Sequence, residues 1–148
     1  MTAGRAEAAA DVVDVVDIRL PASSAYLSVL RTATAGLAAR LDFTLDEIED
    51  LRIAVDEACA MLLPQAGPEG SLECRFELAE SALRVTVAVP SPGAALPARD
   101  TFAWTVLTAL AGDVDAGAAD GQVYISLFKR RALPKVAAGH GPTRDADA

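Results

Sequence analysis

Hydrophobic positions follow a two-residue alternation in several parts of the chain, which is the pattern of half-buried strands. Leu72–Leu78 and Leu83–Val89 alternate apolar with polar side chains, and the short turn between them predicts an antiparallel hairpin. Val12–Leu20 is dense in β-branched residues and is followed by Pro21, which predicts a first strand. Val123–Phe128 predicts a last one. The pattern therefore indicates four strands.

Apolar residues recur at spacings of three and four in three other segments, as they do on one face of an amphipathic helix. Each segment follows a residue that can cap a helix N-terminus. The clearest cap is Thr44, which is followed three residues later by Glu47 in the pattern of a capping box. The predicted helices carry apolar stripes over Leu27–Leu41, Ile48–Leu62 and Phe102–Leu110.

The order of these elements, β-α-α-β-β-α-β, predicts an α/β (α+β) two-layer sandwich. Strands that are apolar on one face need a covering layer, so we expect a mixed or antiparallel sheet covered on one face by the helices. The Gly- and Asp-rich segment Gly112–Gly121 is expected to be a loop before the last strand. We expect one domain over residues 11–133, with disordered arms at residues 1–10 and 134–148, because neither end shows a hydrophobic period.

The composition excludes several classes of function. The chain has 148 residues, of which 52% are hydrophobic, and a formal net charge of -8. That is enough for one domain with its own core. The negative field repels phosphate-rich partners, so we expect neither nucleic acid nor a membrane surface as a partner. No segment has the length and apolarity of a membrane span or a signal peptide, and we therefore expect a cytoplasmic protein.

Few side chains of this sequence could bind a metal ion or act as a nucleophile. Cys59 and Cys74 lie in apolar surroundings and His140 is the only histidine, which is too few for a structural zinc site. We expect two buried thiols, although the sequence alone leaves a disulfide open. His140 lies in a Gly-His-Gly-Pro segment, which argues against Ser-His-Asp and Cys-His catalysis. No metal site is expected.

The second predicted helix carries the densest negative charge of the chain. Acidic residues in its first turn suit a helix N-terminus, but Glu57 points away from the buried stripe and lies among small residues, Ala54, Ala58 and Ala60. The run Asp46–Ala58 resembles the segment leading into the N-box of Bergerat-fold (GHKL, HATPase-like) ATP-binding domains. Within that fold it is similar to anti-sigma regulatory factors of the RsbW and SpoIIAB type.

The resemblance covers about residues 12–131 and includes the order of the elements. Ala54–Cys59 and Phe102–Leu110 are similar to segments of the actinobacterial anti-sigma-factor-F branch. The resemblance implies a small homodimeric protein that binds a sigma factor and keeps it from RNA polymerase. It also implies an anti-anti-sigma partner of the STAS type. In many relatives a serine of that partner is phosphorylated with Mg-ATP.

Several positions depart from the family's kinase pattern. The N-box glutamate, here Glu57, is the family's catalytic base, and an asparagine one turn later binds Mg²⁺. Met61 stands at that position, and its thioether is a poor ligand for Mg²⁺. The family's adenine-binding aspartate has no counterpart near Ser91 and Gly93, and the glycines of Gly112–Gly121 are too widely spaced for a phosphate-binding lid. The resemblance thus implies a degenerate nucleotide pocket that binds ATP and Mg²⁺ weakly or not at all, with no cofactor expected.

The resemblance also suggests a partner-binding surface on the first helix, formed by Arg31 with Leu27 and Ser28. An arginine suits this role because its planar guanidinium can pair with an acidic group of a partner. A solubilising surface arginine is the alternative interpretation. Trp104 is expected in the core, and the basic cluster Lys129–Arg131 is expected at a solvated strand end.

Three functions remain open from the sequence. The first is an anti-sigma factor with a degenerate ATP site, released by an anti-anti-sigma partner. The second is an ATP-dependent serine kinase that acts on an anti-anti-sigma protein, with Glu57 as its catalytic residue. The third is an adaptor that binds only an anti-anti-sigma protein, through the same exposed helix face.

Overall fold

The computed structural model describes residues 12–91 and 95–132, which form one sheet, three α-helices and two short 3₁₀ turns. The strands are β1 (Val12–Pro21), β2 (Ser71–Ala79), β3 (Ala82–Pro90), β4 (Asp113–Ala119) and β5 (Gln122–Arg130). The helices are α1 (Leu27–Arg40), α2 (Leu45–Leu62) and α3 (Phe102–Ala111), and the 3₁₀ turns are Ser24–Tyr26 and Leu63–Gln65. The arms predicted at residues 1–10 and 134–148 lie outside the described residues.

The five strands form one sheet in the order β1-β2-β3-β5-β4, and every neighbouring pair is antiparallel. All three helices pack on the same face of this sheet, which confirms the predicted two-layer α+β fold. The sheet is wholly antiparallel rather than mixed. Among the described residues, no helix has the length and apolarity needed to cross a membrane.

One predicted element is wrong. The segment Gly112–Gly121 contains the strand β4, which pairs with β5 along its length, instead of a loop. Gly117 lies opposite Tyr124, and a Cβ atom added at Gly117 would lie 2.6 Å from the Tyr124 hydroxyl oxygen. The glycine therefore makes room for the tyrosine ring on the sheet. Alanine and glycine have low strand propensity, and the hydrogen bonds supplied by β5 hold this strand in place.

The core lies between the helices and the covered face of the sheet. Alternate residues of β2, β3 and β5 point into it, as the two-residue period predicts. Trp104 of α3 is also buried there, which confirms its predicted position. The largest side chains with less than 2% exposure include Phe76, Leu30, Leu51, Leu62, Leu72, Leu83, Leu107, Ile125 and Leu127.

The other face of the sheet carries charged side chains and has no helix on it. Arg75 Nε lies 3.0 Å from Asp17 Oδ1, and Arg84 Nε lies 3.5 Å from Glu77 Oε1. A groove of about 530 Å³ runs over this face between the ion pairs. This open face is the largest described part of the sheet without a covering layer.

The N-terminus of α2 is closed by the predicted capping box. The Thr44 hydroxyl accepts a hydrogen bond from the Glu47 backbone N–H at 3.1 Å, and Glu47 Oε1 accepts one from the Thr44 N–H at 2.8 Å. The second carboxylate oxygen, Oε2, accepts a hydrogen bond from the Ala132 N–H at 2.8 Å. One side chain therefore caps the helix and also holds the chain that leaves β5. Burial opposes ionisation of Glu47, but these hydrogen bonds outweigh it and lower the pKa of this carboxyl group.

The basic cluster at the end of β5 contacts helix C-termini. Lys129 Nζ donates a hydrogen bond to the Leu110 carbonyl oxygen at 2.8 Å, and Arg131 Nη1 donates one to the Leu41 carbonyl oxygen at 3.3 Å. Carbonyl groups in the last turn of a helix lack partners within the helix, and a nearby cation stabilises them. These two residues are thus half-buried structural contacts and not a fully solvated strand end.

Both cysteines are free thiols buried in the core, as expected. Burial raises the pKa of Cys59 to about 12, and the nearby Asp56 carboxylate adds to the effect. Burial also raises the pKa of Cys74. Because the thiolate is the reactive form, neither residue is suited to sense oxidants in the folded protein.

We predict that Glu47→Ala lowers the free energy of unfolding by about 1 kcal/mol at pH 7, because it removes both hydrogen bonds of the carboxylate, one from the Thr44 N–H and one from the Ala132 N–H. The native pKa of Glu47 is below its ordinary value of 4.5. The stabilisation is therefore complete above that value and is lost as the pH falls through the native pKa. Urea unfolding at pH 7 and at a pH below 4 measures the difference between wild type and variant. Glu80→Ala, in the β2–β3 turn, is the control, and an equal loss from Glu47→Ala at both pH values would contradict this account.

We also predict that neither thiol reacts with a cysteine-modifying reagent in the native state at pH 8. Both should react once the chain is unfolded in urea, because burial no longer suppresses the thiolate. The measurement is the absorbance of the released chromophore against time. Modification of either cysteine at the rate of a free thiol in the folded protein would show that the core opens around α2 and β2.

Candidate functional site

Glu57 lies on the side of α2 that is turned away from α1. At 100° per residue, Met61 lies 40° from Glu57 around the helix, and Asp56 lies 100° from Glu57, on the side toward α1. α2 packs against α1 on one side and against α3 on the other. The Glu57 side chain is half-buried and has no hydrogen-bond or ion-pair partner within residues 12–91 and 95–132. Its carboxylate is therefore not used in a structural contact there.

Met61 lies one helical turn after Glu57, where the resemblance implies a magnesium-binding asparagine. Its side chain is half-buried and packs against the hydrophobic core. Magnesium prefers oxygen ligands, and Met61 offers none beside Glu57. The other carboxylates on this side of α2, Asp50 and Asp46, lie two and three turns before Glu57. In the part of the chain that the structure describes, no group of three or more His, Cys, Asp or Glu side chains could hold a metal ion.

Ser91, the third residue of the predicted pocket, is buried and contacts two other segments. Its hydroxyl donates a hydrogen bond to Gln65 Oε1 at 2.9 Å, and its N–H donates one to the Gly121 carbonyl oxygen at 2.9 Å. The residue thus joins the end of β3 to the turn after α2 and to the β4–β5 turn. Its hydroxyl is already used inside the protein. Gly93, the fourth predicted pocket residue, lies outside the described residues.

Three glycines lie where the resemblance predicts a phosphate-binding lid, and each has a different structural position. Gly112 ends α3 with a φ of 88°, Gly117 lies in β4, and Gly121 makes the β4–β5 turn with a φ of 75°. A phosphate nest requires successive backbone N–H groups that point to one site. These three glycines are distributed over a helix end, a strand and a turn, and their N–H groups do not converge.

Arg99 holds the segment before α3 against β4. Its Nη2 atom lies 3.2 Å from Asp115 Oδ1 and 3.3 Å from the Ala116 carbonyl oxygen. Its guanidinium also lies over the Trp104 ring, 4.7 Å from the ring centre. No spacing in the sequence predicts these contacts, because they depend on β4 being a strand. Phe102, the first residue of α3 and two residues before Trp104, is 82% exposed.

Arg31 forms an ion pair between α1 and α2. Its Nη1 atom lies 3.0 Å from Asp56 Oδ1 and 3.1 Å from Asp56 Oδ2. The exposed fractions of the two side chains are 37% and 36%, so the pair lies at the surface, where a partner can reach it. Asp56 is the residue of this surface that the sequence did not indicate. The one feature of the sequence that could have indicated Asp56 is that it forms a pair of adjacent acidic residues with Glu57.

Leu27 does not belong to the predicted partner surface. It is buried, and it shares a stripe with Leu30, Thr34 and Ala38 that faces the sheet. Helical spacing places Leu27 one turn before Arg31 and 40° away from it around α1. Within that angle the helix passes from its buried side to its exposed side. Ser28 is exposed and stays a candidate for this surface.

The surface around the Arg31–Asp56 pair combines acidic and apolar side chains. Ile53 of α2 is 42% exposed and lies between Asp56 and Glu57 around the helix. Acidic residues of α2 lie on the same exposed side, and one of them, Glu49, pairs with Arg52 at 2.9 Å. This mixture suits a partner that presents basic and apolar groups together.

Comparison with known proteins gives relatives of one kind. No family model matches the chain. "Serine-protein kinase RsbW" of Bacillus subtilis (strain 168) is 40% identical over 78 residues, which are 51% of this chain and 49% of the relative. "Serine-protein kinase RsbW" of Bacillus pumilus (strain SAFR-032) is 35% identical over 83 residues, which are 53% of this chain and 51% of the relative. The matches thus span about half the length of these curated relatives.

A solved structure has the same fold. The structure of the RsbU and RsbW domains of Rv1364c from Mycobacterium tuberculosis superposes with a TM-score of 0.63 and 17% sequence identity. The match covers 82% of this chain and 34% of that chain. At this identity the superposition shows the fold alone. Together with the sequence matches, it confirms the resemblance: the chain is a relative of the RsbW-type proteins and has the RsbW-like ATPase fold.

Proposed function

We propose that this protein is an anti-sigma factor that binds and sequesters an RNA polymerase sigma factor through the α1–α2 surface. An anti-anti-sigma partner of the STAS type releases the sigma factor, and the nucleotide pocket is degenerate. The observation that carries the proposal is a contrast between the two sides of α2. The side toward α1 holds an ordered, accessible Arg31–Asp56 pair, whereas the other side keeps only Glu57 of the family's catalytic groups.

The nucleotide side argues against efficient phosphoryl transfer. Metal ions that bridge the phosphates supply much of the catalysis in such reactions. Met61 gives the metal no oxygen ligand. Ser91 has no carboxylate to bind adenine, and its hydroxyl is already bonded to Gln65.

The partner side supports a protein ligand. Sigma factors carry basic surfaces for DNA and polymerase, and a chain of net charge -8 attracts them. A protein that holds a sigma factor also needs no contact with nucleic acid or a membrane, in agreement with its charge. We therefore place this activity in the cytoplasm, where sigma factors act.

The open face of the sheet supports a homodimer. Three carboxylates and three arginines lie there in pairs within the chain, so these residues add no net charge that would oppose a second copy across a two-fold axis. The pairs are Asp17 with Arg75, Glu73 with Arg19, and Glu77 with Arg84.

A second candidate function is an ATP-dependent serine kinase that phosphorylates the anti-anti-sigma protein. Two facts favour it. Glu57 is present and has no structural partner within the described residues, and the curated relatives are named serine-protein kinases. In this function Glu57 would take the proton from the incoming serine hydroxyl.

We predict that at least one sigma factor of the host co-elutes with the protein in gel filtration at micromolar concentration. Binding should weaken as salt rises, because part of the attraction is electrostatic. An acidic protein of unrelated fold and equal net charge is the control. If no sigma factor co-elutes and a STAS-type protein does, the adaptor function replaces the anti-sigma function.

We predict that calorimetry with Mg-ADP detects no binding tighter than about 10 μM, which corresponds to roughly -7 kcal/mol. The relative from Bacillus subtilis is the reference protein. Met61→Asn, which restores an oxygen ligand, tests whether the missing metal ligand limits binding. Two results together would establish the kinase function instead. The wild type would bind Mg-ADP tightly, and it would transfer phosphate to a STAS-type protein in a reaction that the Glu57→Ala substitution abolishes.

A further inference from the structure

The Arg31–Asp56 pair uses one of the three nitrogen atoms of the guanidinium. Nη1 contacts both carboxylate oxygens, at 3.0 and 3.1 Å. Within the described residues the guanidinium makes no other hydrogen bond. Arginine has five N–H donors, so the donors on Nη2 and Nε remain available. The pair therefore leaves much of the binding capacity of Arg31 unused.

The pair also restricts where the Arg31 side chain can point. Arginine is long and has many rotamers, and ordering it on binding costs conformational entropy. Asp56 is on a different helix, 25 residues away in sequence, and holds the guanidinium over the junction of α1 and α2. A side chain that is ordered before binding loses less entropy when a partner arrives.

We propose that Asp56 is a positioning residue for partner binding. It holds Arg31 so that the Nε and Nη2 donors face outward and bind a carboxylate of a protein partner, with two parallel hydrogen bonds. This inference rests on the proposed function, in which that partner is a sigma factor. It adds that the contact requires two residues of this chain, one from each helix.

The two adjacent acids of α2 thereby serve different surfaces. Asp56 faces α1, and Glu57, 100° further around the helix, faces away from it. Only Asp56 can order Arg31. A substitution of Glu57 should therefore leave the partner contact unchanged.

A matched control lies one turn away on α2. Arg52 Nη1 and Glu49 Oε1 are 2.9 Å apart; Arg52 is about as exposed as Arg31, and Glu49 is more exposed than Asp56. That pair lies within one helix, at a spacing of three residues, and it orders no residue of α1. Glu49→Ala removes a surface ion pair and one negative charge without affecting Arg31.

The first experiment measures affinity for the sigma factor that co-elutes with the wild type. We expect Arg31→Ala to weaken binding about tenfold or more, as at an interface hot spot, and Arg31→Lys to lose most of the same affinity. Asp56→Ala and Asp56→Asn should weaken it severalfold, and Arg31→Ala with Asp56→Ala should be no weaker than Arg31→Ala alone. Glu49→Ala removes the same negative charge but leaves Arg31 ordered, so it should weaken binding less than Asp56→Ala does. Tighter binding by Asp56→Ala, or additive effects in the double variant, would overturn the proposal.

The second experiment requires no partner. Nitrogen-15 NMR of the free protein reports hindered rotation of the Arg31 guanidinium as separate signals for its two Nη atoms. We expect separate signals in the wild type and in Glu49→Ala, and one averaged signal in Asp56→Asn. An averaged signal in the wild type overturns the positioning role whatever the protein binds. If the wild type shows separate signals but binds no sigma factor, the proposed function is overturned. The proposed contact between Arg31 and a carboxylate of that partner is then overturned as well.

Discussion

The packing of α2 on the sheet determines where the chemistry of this protein lies. Leu51, Val55 and Leu62 of this helix are fully buried, and helical geometry then fixes the direction of every other residue on it. Asp56 is turned toward α1, and Glu57 is turned away from it. Two surfaces with different capacities therefore arise from one helix, and a change on one side need not alter the other. On this separation depends the proposal that the nucleotide side can lose its ligands while the partner side is kept.

The sequence predicts most of this fold because most elements carry a local signal. The capping box is complete within four residues, Thr44 to Glu47, so its pattern is sufficient to locate the start of α2. The strands of the central hairpin are visible through alternation alone. β4 carries no such signal, because its alanines and glycines gain their stability from pairing with β5. A strand of that kind becomes visible only when its neighbour is in place.

The candidate site is predictable in its residue types and not in its contacts. Glu57 and Met61 are one turn apart in the sequence, and their relation on α2 follows from that spacing. The partners of Ser91 and Arg31 lie 26 and 25 residues away, in elements whose arrangement depends on the whole core. The resemblance suggests Leu27 for the partner surface, yet Leu27 is buried, because a rotation of 40° around α1 is enough to take a side chain from surface to core.

The hydrogen bond from Ala132 to Glu47 has a consequence for the order in which the protein is completed during synthesis. It joins residues 85 positions apart, one at the start of α2 and the other just after the last strand. α2 leaves the ribosome long before β5 does, so the nascent helix has only the reciprocal bonds between Thr44 and Glu47 at its first turn. The second oxygen of the Glu47 carboxylate gains its partner when the chain has grown past Ala132. The N-terminus of the helix that carries both candidate surfaces therefore gains its last hydrogen bond only after β5 has been made.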